Sequence, residues 1–112
     1  MSVLDKAKKH YQTKLHADPK PINIPEWDTD AFVKPGINLS QLGEIMELSQ
    51  NGKTAEAMAL TLIYRLIDSD GKFIFRKPDR TELMKSVDPD VLARVVGEIN
   101  SLDPSDEEIE GN

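Results

Sequence analysis

The earliest apolar residues of the chain recur at the spacing of an amphipathic helix. They lie three or four residues apart among lysines: Leu4, Ala7, Tyr11 and Leu15. This pattern predicts a helix over residues 3–15 with one narrow apolar face. Pro19 and Pro21 follow. Because proline lacks a backbone donor and disfavours helix in the residue before it, they predict an extended linker.

A strand pattern replaces the helical one after the linker. Ile22 and Ile24 alternate with polar neighbours, residues 28–30 resemble a turn, and residues 31–34 form a second apolar segment. Alternation with a period of two, interrupted by turn residues, is typical of an antiparallel hairpin. We therefore predict a hairpin over about residues 21–34.

Two helical patterns come next. Asn38, with Gln41 three residues later, is typical of a capped helix start, and Asn51-Gly52 is typical of a helix end. The apolar positions between them predict a buried stripe: Leu39, Leu42, Ile45 and Met46. The segment of residues 54–67 is apolar on almost every side, which predicts the central, most buried helix.

Turn and strand signals follow the central helix. Residues 68–71 (Asp-Ser-Asp-Gly) end the apolar run, and Phe73 and Phe75 are expected to share one face of a short strand that joins the hairpin. A short helix is predicted over about residues 79–86. A last helix starts at the cap Asp88-Pro89. Its predicted buried positions are Val91, Leu92, Val95, Val96, Ile99 and Leu102.

Together these elements predict a mostly helical α+β fold in a single domain, with a small antiparallel hairpin or sheet packed on three or four helices. A hairpin is not stable by itself, so the central helix is expected to cover it. The chain then divides into an N-terminal helix with its linker (residues 1–20), an α+β body (21–102) and an acidic tail (103–112).

The negative charge of the chain is concentrated at its C-terminal end. The net charge is −6, from 20 acidic and 14 basic residues, and residues 103–112 hold five acidic residues and no basic one. Subtracting those five from 20 leaves 15 acidic against 14 basic residues, so residues 1–102 are nearly neutral. We expect the tail to be solvated and disordered. A neutral body argues against nucleic-acid binding, which requires a basic face.

No pattern in the chain predicts catalysis, a cofactor or a metal site. Cysteine is absent, which removes thiolate catalysis and sulfur-ligated zinc. The segment starting at Asp68 suggests a calcium loop, but Lys72 would stand among its ligands and Phe73 in place of its sharp-turn glycine. His10 and His16 lack the spacing of a helical metal pair. We therefore expect a non-enzymatic protein, and no apolar run is long enough for a membrane span.

Two short motifs carry a family resemblance. One is a Pro-Glu-Trp segment before a strand, and the other is an Asp-Gly turn before two phenylalanines and a helix. The residues concerned are Pro25, Glu26, Trp27, Phe32, Asp68, Asp70, Gly71, Phe73, Phe75, Asp79 and Leu83. In order and spacing they resemble the tail assembly chaperones of long-tailed bacteriophages, of the siphophage type, over roughly residues 20–102. The chain departs from that family in having Asp28 where glycine is usual.

The resemblance implies a chaperone that binds the tape measure protein, a long helical client, and keeps it soluble during tail morphogenesis. Such a protein is absent from the mature virion and works in the host bacterial cytoplasm as a weak homo-oligomer. Where a longer frameshifted form is made, its extension recruits the major tail protein. From the residues themselves we expect no cofactor and no nucleic-acid or membrane partner.

Two candidate partner-binding elements follow. The stripe of Leu4, Ala7, Tyr11 and Leu15 is predicted to bind the client or a second copy, since a two-proline linker separates it from the body. The alternative is that the helix folds back on the body as core. Trp27 is either an interface anchor or a core plug under the hairpin.

Two other functional classes remain open from the sequence. A small acidic phage protein can mimic DNA and inhibit a host nuclease, although here the acidic excess is confined to the tail. Several short helices also suit a small DNA-binding regulator, although no predicted helix has the basic face of a recognition helix.

Overall fold

A computed structural model describes residues 2–102 as five α-helices and a three-stranded antiparallel sheet, which confirms the predicted α+β class. In chain order the elements are α1 (Val3–Leu15), β1 (Lys20–Ile24), β2 (Thr29–Val33), α2 (Leu39–Gln50), α3 (Thr54–Arg65), β3 (Leu66–Ile67), α4 (Arg80–Lys85) and α5 (Pro89–Ser101). Short 3-10 turns, Pro25–Trp27 and Lys77–Asp79, follow β1 and precede α4. The predicted disordered tail, residues 103–112, lies outside the described residues.

The hairpin forms as predicted, but its turn lies earlier in the chain. β1 pairs with β2 so that Ile24 is opposite Thr29. The chain reverses through the 3-10 turn and then Asp28, whose φ of 48° is left-handed. Thr29 and Asp30 were predicted as turn residues and instead belong to β2. The 3-10 turn and one left-handed residue complete the reversal, so both residues are free to pair with β1.

The third strand is not the one predicted. Helix α3 ends at Arg65, and the next residues, Leu66–Ile67, pair antiparallel with Val33 and Phe32 of β2. The expected strand over Phe73 and Phe75 does not form, because Phe73 makes only an isolated bridge to Ile67. The predicted helix over residues 54–67 was therefore two residues too long.

The sheet fixes the end of α3. The amide of Lys34 donates to the carbonyl of Arg65 at 2.7 Å, and the Arg65 Nε donates to the carbonyl of Lys34 at 3.0 Å. These two bonds tie the last helical residue to the end of β2. Leu66 then adopts an extended conformation, with φ −87° and ψ 127°. Long-range pairing with β2 thus overrides the helical pattern of the apolar run.

The core lies between the sheet and helices α3 and α5. Its largest fully buried side chains are Ile24, Val33, Leu62, Leu66, Val95 and Ile99. Eight residues of α3 are buried, the most of any helix in residues 2–102, so its predicted central position is confirmed. The predicted apolar face of α5 is buried except at Leu102.

Helix α2 begins as predicted but does not bury its stripe. Asn38 accepts from the Gln41 amide at 2.8 Å, and the Gln41 side chain accepts from the Asn38 amide at 3.0 Å, a complete capping box. Within Leu39–Gln50, however, no residue is fully buried. Ile45 packs against the core, whereas the rest of the predicted stripe, Leu39, Leu42 and Met46, is exposed. Because α2 lies on α3, only one edge of its wide apolar face meets the core.

Candidate interaction surface

Most of the exposed large apolar side chains in residues 2–102 belong to two helices. Five of the eight lie on α1 and α2: Val3, Leu4, Leu39, Leu42 and Met46. The other three are scattered over the fold: Phe73, Met84 and Leu102. Exposed apolar residues that share one helix face can mark an interaction site, whereas isolated ones are ordinary. We call the five residues the α1–α2 surface.

Helix α1 places its predicted stripe in two different environments. Over Val3–Leu15 it buries no residue completely. Leu4 is 68% exposed and Ala7 is exposed, whereas Tyr11 and Leu15 are partly buried. The first half of the helix therefore stands clear of the body and the second half contacts it. Partner binding by the stripe stays a prediction, and exposure alone leaves the first half of the helix free of internal packing.

The contact between α1 and the body is made at Gly36. A Cβ atom at this position would lie 3.4 Å from Lys14 Cε and 3.8 Å from Tyr11 Cε1. A methyl group here would therefore be in ordinary van der Waals contact with α1, which shows that α1 packs closely on the segment between β2 and α2. Beside it, a cavity of about 240 Å³ is lined by Lys14, Leu42 and Ile45 among others. This cavity joins the end of α1 to the outer edge of α2.

Helix α2 displays three apolar side chains on one outward face. Leu39, Leu42 and Met46 are spaced three and four residues apart, and they are 83%, 42% and 49% exposed. Residues at this spacing lie above one another along a helix. A continuous apolar ridge of this kind matches the apolar face of a partner helix.

The charges on the two helices differ in sign. Helix α1 carries Lys6, Lys8, Lys9 and Lys14 against Asp5, whereas α2 carries Glu44 and Glu47 and no basic residue. Glu44 accepts a hydrogen bond from the Tyr64 hydroxyl at 3.0 Å and lies 3.9 Å from Lys77 Nζ. The hydrogen bond with Tyr64 raises the pKa of Lys77, with Glu44 contributing to the same direction. Both helices therefore combine apolar residues with flanking charge, which suits reversible binding.

Trp27 is the last residue of the 3-10 turn that follows β1, and its side chain is half-buried. Its ring packs edge-to-face on Phe75, with centroids 5.9 Å apart and planes at 87°. The two rings border a cavity of about 320 Å³ whose other walls include Ile24, Leu66 and Val87. Trp27 thus covers the core at one edge and borders a cavity at the other, a position compatible with both predicted roles.

The remaining motif residues hold the fold together. Glu26 pairs with Arg94 of α5 at 2.6 Å and so ties the hairpin turn to that helix. The Asp68 carboxylate accepts from the amides of Asp70 and Lys72 at 2.8 and 3.0 Å. The Asp79 carboxylate accepts from the Arg76 amide at 2.9 Å. These hydrogen bonds stabilise turns.

The other motif positions contribute by packing or by conformation. Gly71 takes a φ of 81°, which completes the turn that Asp68 begins. Leu83 is the buried residue of α4. Phe32 pairs with Ile67 in the sheet, and Pro25 starts the 3-10 turn.

Side chains suited to metal or membrane chemistry do not gather in residues 2–102. No three His, Cys, Asp or Glu residues in this range are placed to hold a metal ion. His10 and His16 are exposed, and His16 Nδ1 lies 2.6 Å from the Gln12 carbonyl of its own helix. None of the helices in this range has the length and hydropathy needed to cross a bilayer.

Sequence patterns missed the outward part of α2. Leu39, Leu42 and Met46 were read as core because helical spacing marks an apolar face without showing what covers it. The number of apolar residues on α2 was a usable signal. Ile45 and Leu48 make its contact with the core, so the further apolar residues exceed what that contact needs. The pocket lined by Lys14, Lys20 and Lys34 was also missed, because these lysines are far apart in the chain.

Comparison with known proteins decides the fold relationship. No family model matches the chain, and no curated protein matches it. Among solved structures it is similar to the bacteriophage HK97 tail assembly chaperone, with a TM-score of 0.65 over 88% of this chain and 94% of that chain. The chain has the tail assembly chaperone fold. The sequence resemblance is therefore confirmed at the level of the fold, although identity to the HK97 protein is 17%.

Proposed function

We propose that this protein is a non-enzymatic phage tail assembly chaperone. It binds the tape measure protein, keeps that client soluble during tail morphogenesis in the host bacterial cytoplasm, and is absent from the mature virion. The proposal rests on one observation, the tail assembly chaperone fold, which extends over 88% of the chain.

The α1–α2 surface gives the proposal a physical mechanism. A long helical client exposes apolar stripes that would aggregate before the tail tube covers them. The outward ridge of Leu39, Leu42 and Met46 provides a matching apolar surface of modest size, and the exposed Leu4 of α1 adds a second apolar contact point. A small contact area binds weakly, so many copies along one client are needed to keep it soluble, and they remain easy to displace.

Two further interactions belong to the same proposal. Copies that lie side by side on the client are expected to associate weakly with one another. A longer form of the chain, if the gene encodes one by frameshifting, is expected to bring the major tail protein to the coated client.

The direct test is co-expression with the tape measure protein of the same phage, followed by size-exclusion chromatography with light scattering. We expect a soluble complex that contains several copies of this chain per client. A client that precipitates while this protein elutes alone would contradict the proposal. Nuclease inhibition and duplex DNA binding would then be assayed, since they are the other two functions that suit a small phage protein.

A matched pair of variants locates the binding surface. Leu39→Asp with Met46→Asp places two charges on the apolar ridge, whereas Ser40→Asp with Gln50→Asp places the same charge on exposed polar positions of the same helix. We expect the first pair to reduce the client recovered in the soluble fraction and the control pair to leave it unchanged. Equal recovery with both pairs would remove α2 from the binding surface.

Helix α1 is tested in the same assay. Leu4→Asp with Tyr11→Asp disrupts its stripe, and Gln12→Asp with Thr13→Asp is the control with equal charge on the same helix. If the stripe binds a client or a second copy, only the first variant lowers client recovery or the number of copies bound.

A further inference from the structure

A small pocket at the base of α1 gathers basic side chains from three parts of the chain. Lys14 comes from α1, Lys20 from the start of β1, and Lys34 and Arg65 from the junction of β2 and α3. The pocket has a volume of about 140 Å³. Asp18 is its one acidic lining residue among residues 2–102. Four cations against one carboxylate make this a local positive site in a body that is nearly neutral.

The lysines of this pocket have no carboxylate partner within the described part of the chain. In residues 2–102 the ion pairs join Lys77 to Glu44, Arg80 to Glu56 and Arg94 to Glu26. Lys34 lies over the Phe73 ring at 5.6 Å. Burial, and after it the charge of Arg65, lowers the pKa of Lys34. An anion beside this lysine would oppose both effects.

The pocket is also the place where the described chain ends. Leu102, the last described residue, is one of its lining residues. The residues that follow, 103–112, carry five carboxylates and no basic group. A ten-residue segment spans at most roughly 35 Å when extended, so every one of its carboxylates can reach the pocket from Leu102. Because the tail is tethered there, its effective concentration at the pocket is of the order of millimolar.

We propose that the acidic C-terminal segment of the same chain, residues 103–112, docks in the cationic pocket of Lys14, Lys20 and Lys34. The contact ties the C-terminus to the joint between α1 and the body. It is held by several exposed ion pairs, so it weakens as salt is added. This proposal concerns the chain alone and does not depend on the identity of a client.

The test uses the absence of cysteine in the chain. A single Asn112→Cys substitution carries a nitroxide label at the end of the full chain, and paramagnetic broadening of backbone amides reports where the label lies. At low salt we expect strong broadening at Ala17, Lys20 and Lys34. In 0.5 M NaCl we expect at least half of that effect to be lost, since the screening length falls to about 4 Å.

Two charge-matched variants identify the docking site. Lys14→Gln with Lys20→Gln and Lys34→Gln removes three charges from the pocket, and Lys6→Gln with Lys8→Gln and Lys9→Gln removes three from the exposed part of α1. We expect only the pocket variant to abolish the salt-sensitive broadening. The proposal is overturned if the pocket variant retains it, if the α1 variant loses it, or if salt has no effect.

A mixing experiment distinguishes docking of the tail within one chain from docking on a second copy. Spin-labelled protein at natural isotope abundance is mixed with ¹⁵N-enriched protein that carries no spin label. Only contacts between molecules can then broaden the observed signals. We expect no broadening of pocket amides in the mixture. Broadening there would assign the tail to the pocket of a neighbouring copy and would overturn the intramolecular contact.

Discussion

At the residue scale, Asp28 is the position where the backbone is most constrained. Among residues 2–102 it is the one non-glycine residue with positive φ, at 48°. The left-handed conformation is tolerated by aspartate at a cost and is free of strain for glycine. The family resemblance expects glycine at this position, and the observed φ gives the reason.

Substitutions at Asp28 should follow this backbone preference. We expect Asp28→Gly to leave the free energy of unfolding unchanged or to raise it slightly. Asp28→Val should lower it by about 1–2 kcal/mol, because a β-branched residue is poorly accommodated at positive φ. Urea denaturation of both variants measures the two effects. A neutral Asp28→Val would mean that the turn relaxes to another conformation.

Lys34 provides a test of pH dependence at the residue scale. Its pKa is lowered from 10.5 by burial and by Arg65, so the folded chain releases this proton at a lower pH than the unfolded chain does. Between the two pKa values the unfolded state binds more protons, and the free energy of unfolding therefore rises with pH. The contribution is complete above 10.5 and is lost as the pH falls through the folded pKa.

Comparison with Lys34→Met isolates this titration. We expect the wild-type stability, relative to that of the variant, to increase as the pH approaches 10.5 from neutrality. The cation–π contact with Phe73 is also lost in the variant, so the slope with pH, rather than the offset, is the informative quantity. Parallel stability curves for the two proteins would contradict the assignment.

At the element scale, α2 and α3 show how similar apolar patterns acquire different roles. Leu62 of α3 has no exposed surface, whereas Leu39 of α2 is 83% exposed. Both helices contain apolar residues at helical spacing. The difference arises because α3 packs against α2, α4 and α5, whereas the main packing partner of α2 is α3.

A pair of leucine truncations measures this difference. Leu62→Ala should lower the free energy of unfolding by about 2–5 kcal/mol, since it leaves a cavity in the core. Leu39→Ala should change it by less than about 0.5 kcal/mol, as exposed positions generally do. Thermal or urea unfolding of the two variants gives the comparison. A large destabilisation by Leu39→Ala would show that this ridge is needed for folding and is not a free surface.

At the scale of the whole molecule, α1 is an appendage on a body that folds around α3. It buries no residue between Val3 and Leu15, and its contact with the body is made at Gly36 and the cavity beside it. The core residues all lie between Ile22 and Ile99. The body therefore contains the interactions needed for its own stability.

Removal of α1 should separate stability from function. Deletion of residues 1–17 is expected to lower the free energy of unfolding by less than about 1 kcal/mol, because little apolar surface is uncovered. In the co-expression assay the same deletion should reduce the amount of soluble client. Loss of folding on deletion would show that α1 is part of the folded domain. It would contradict the division of the chain at residue 20.

Local signals in the sequence determined most of the secondary structure. The capping pair Asn38 and Gln41 and the left-handed stop at Gly52 act within a few residues, so their patterns are reliable. The apolar faces of α3 and α5 were identified because each is dense enough to require burial. The order and spacing of the short motifs gave the resemblance to the tail assembly chaperones, and the fold confirms it.

Tertiary structure decided the features that depend on distant neighbours. Pairing with β2 turned Leu66–Ile67 from helix into strand, and the position of α2 beside α3 left Leu39, Leu42 and Met46 exposed. The pocket of Lys14, Lys20 and Lys34 likewise exists only after folding brings α1, β1 and the end of β2 together. Hydrophobic spacing shows that a face can be buried, but the geometry of the whole fold determines whether a neighbour is there to bury it.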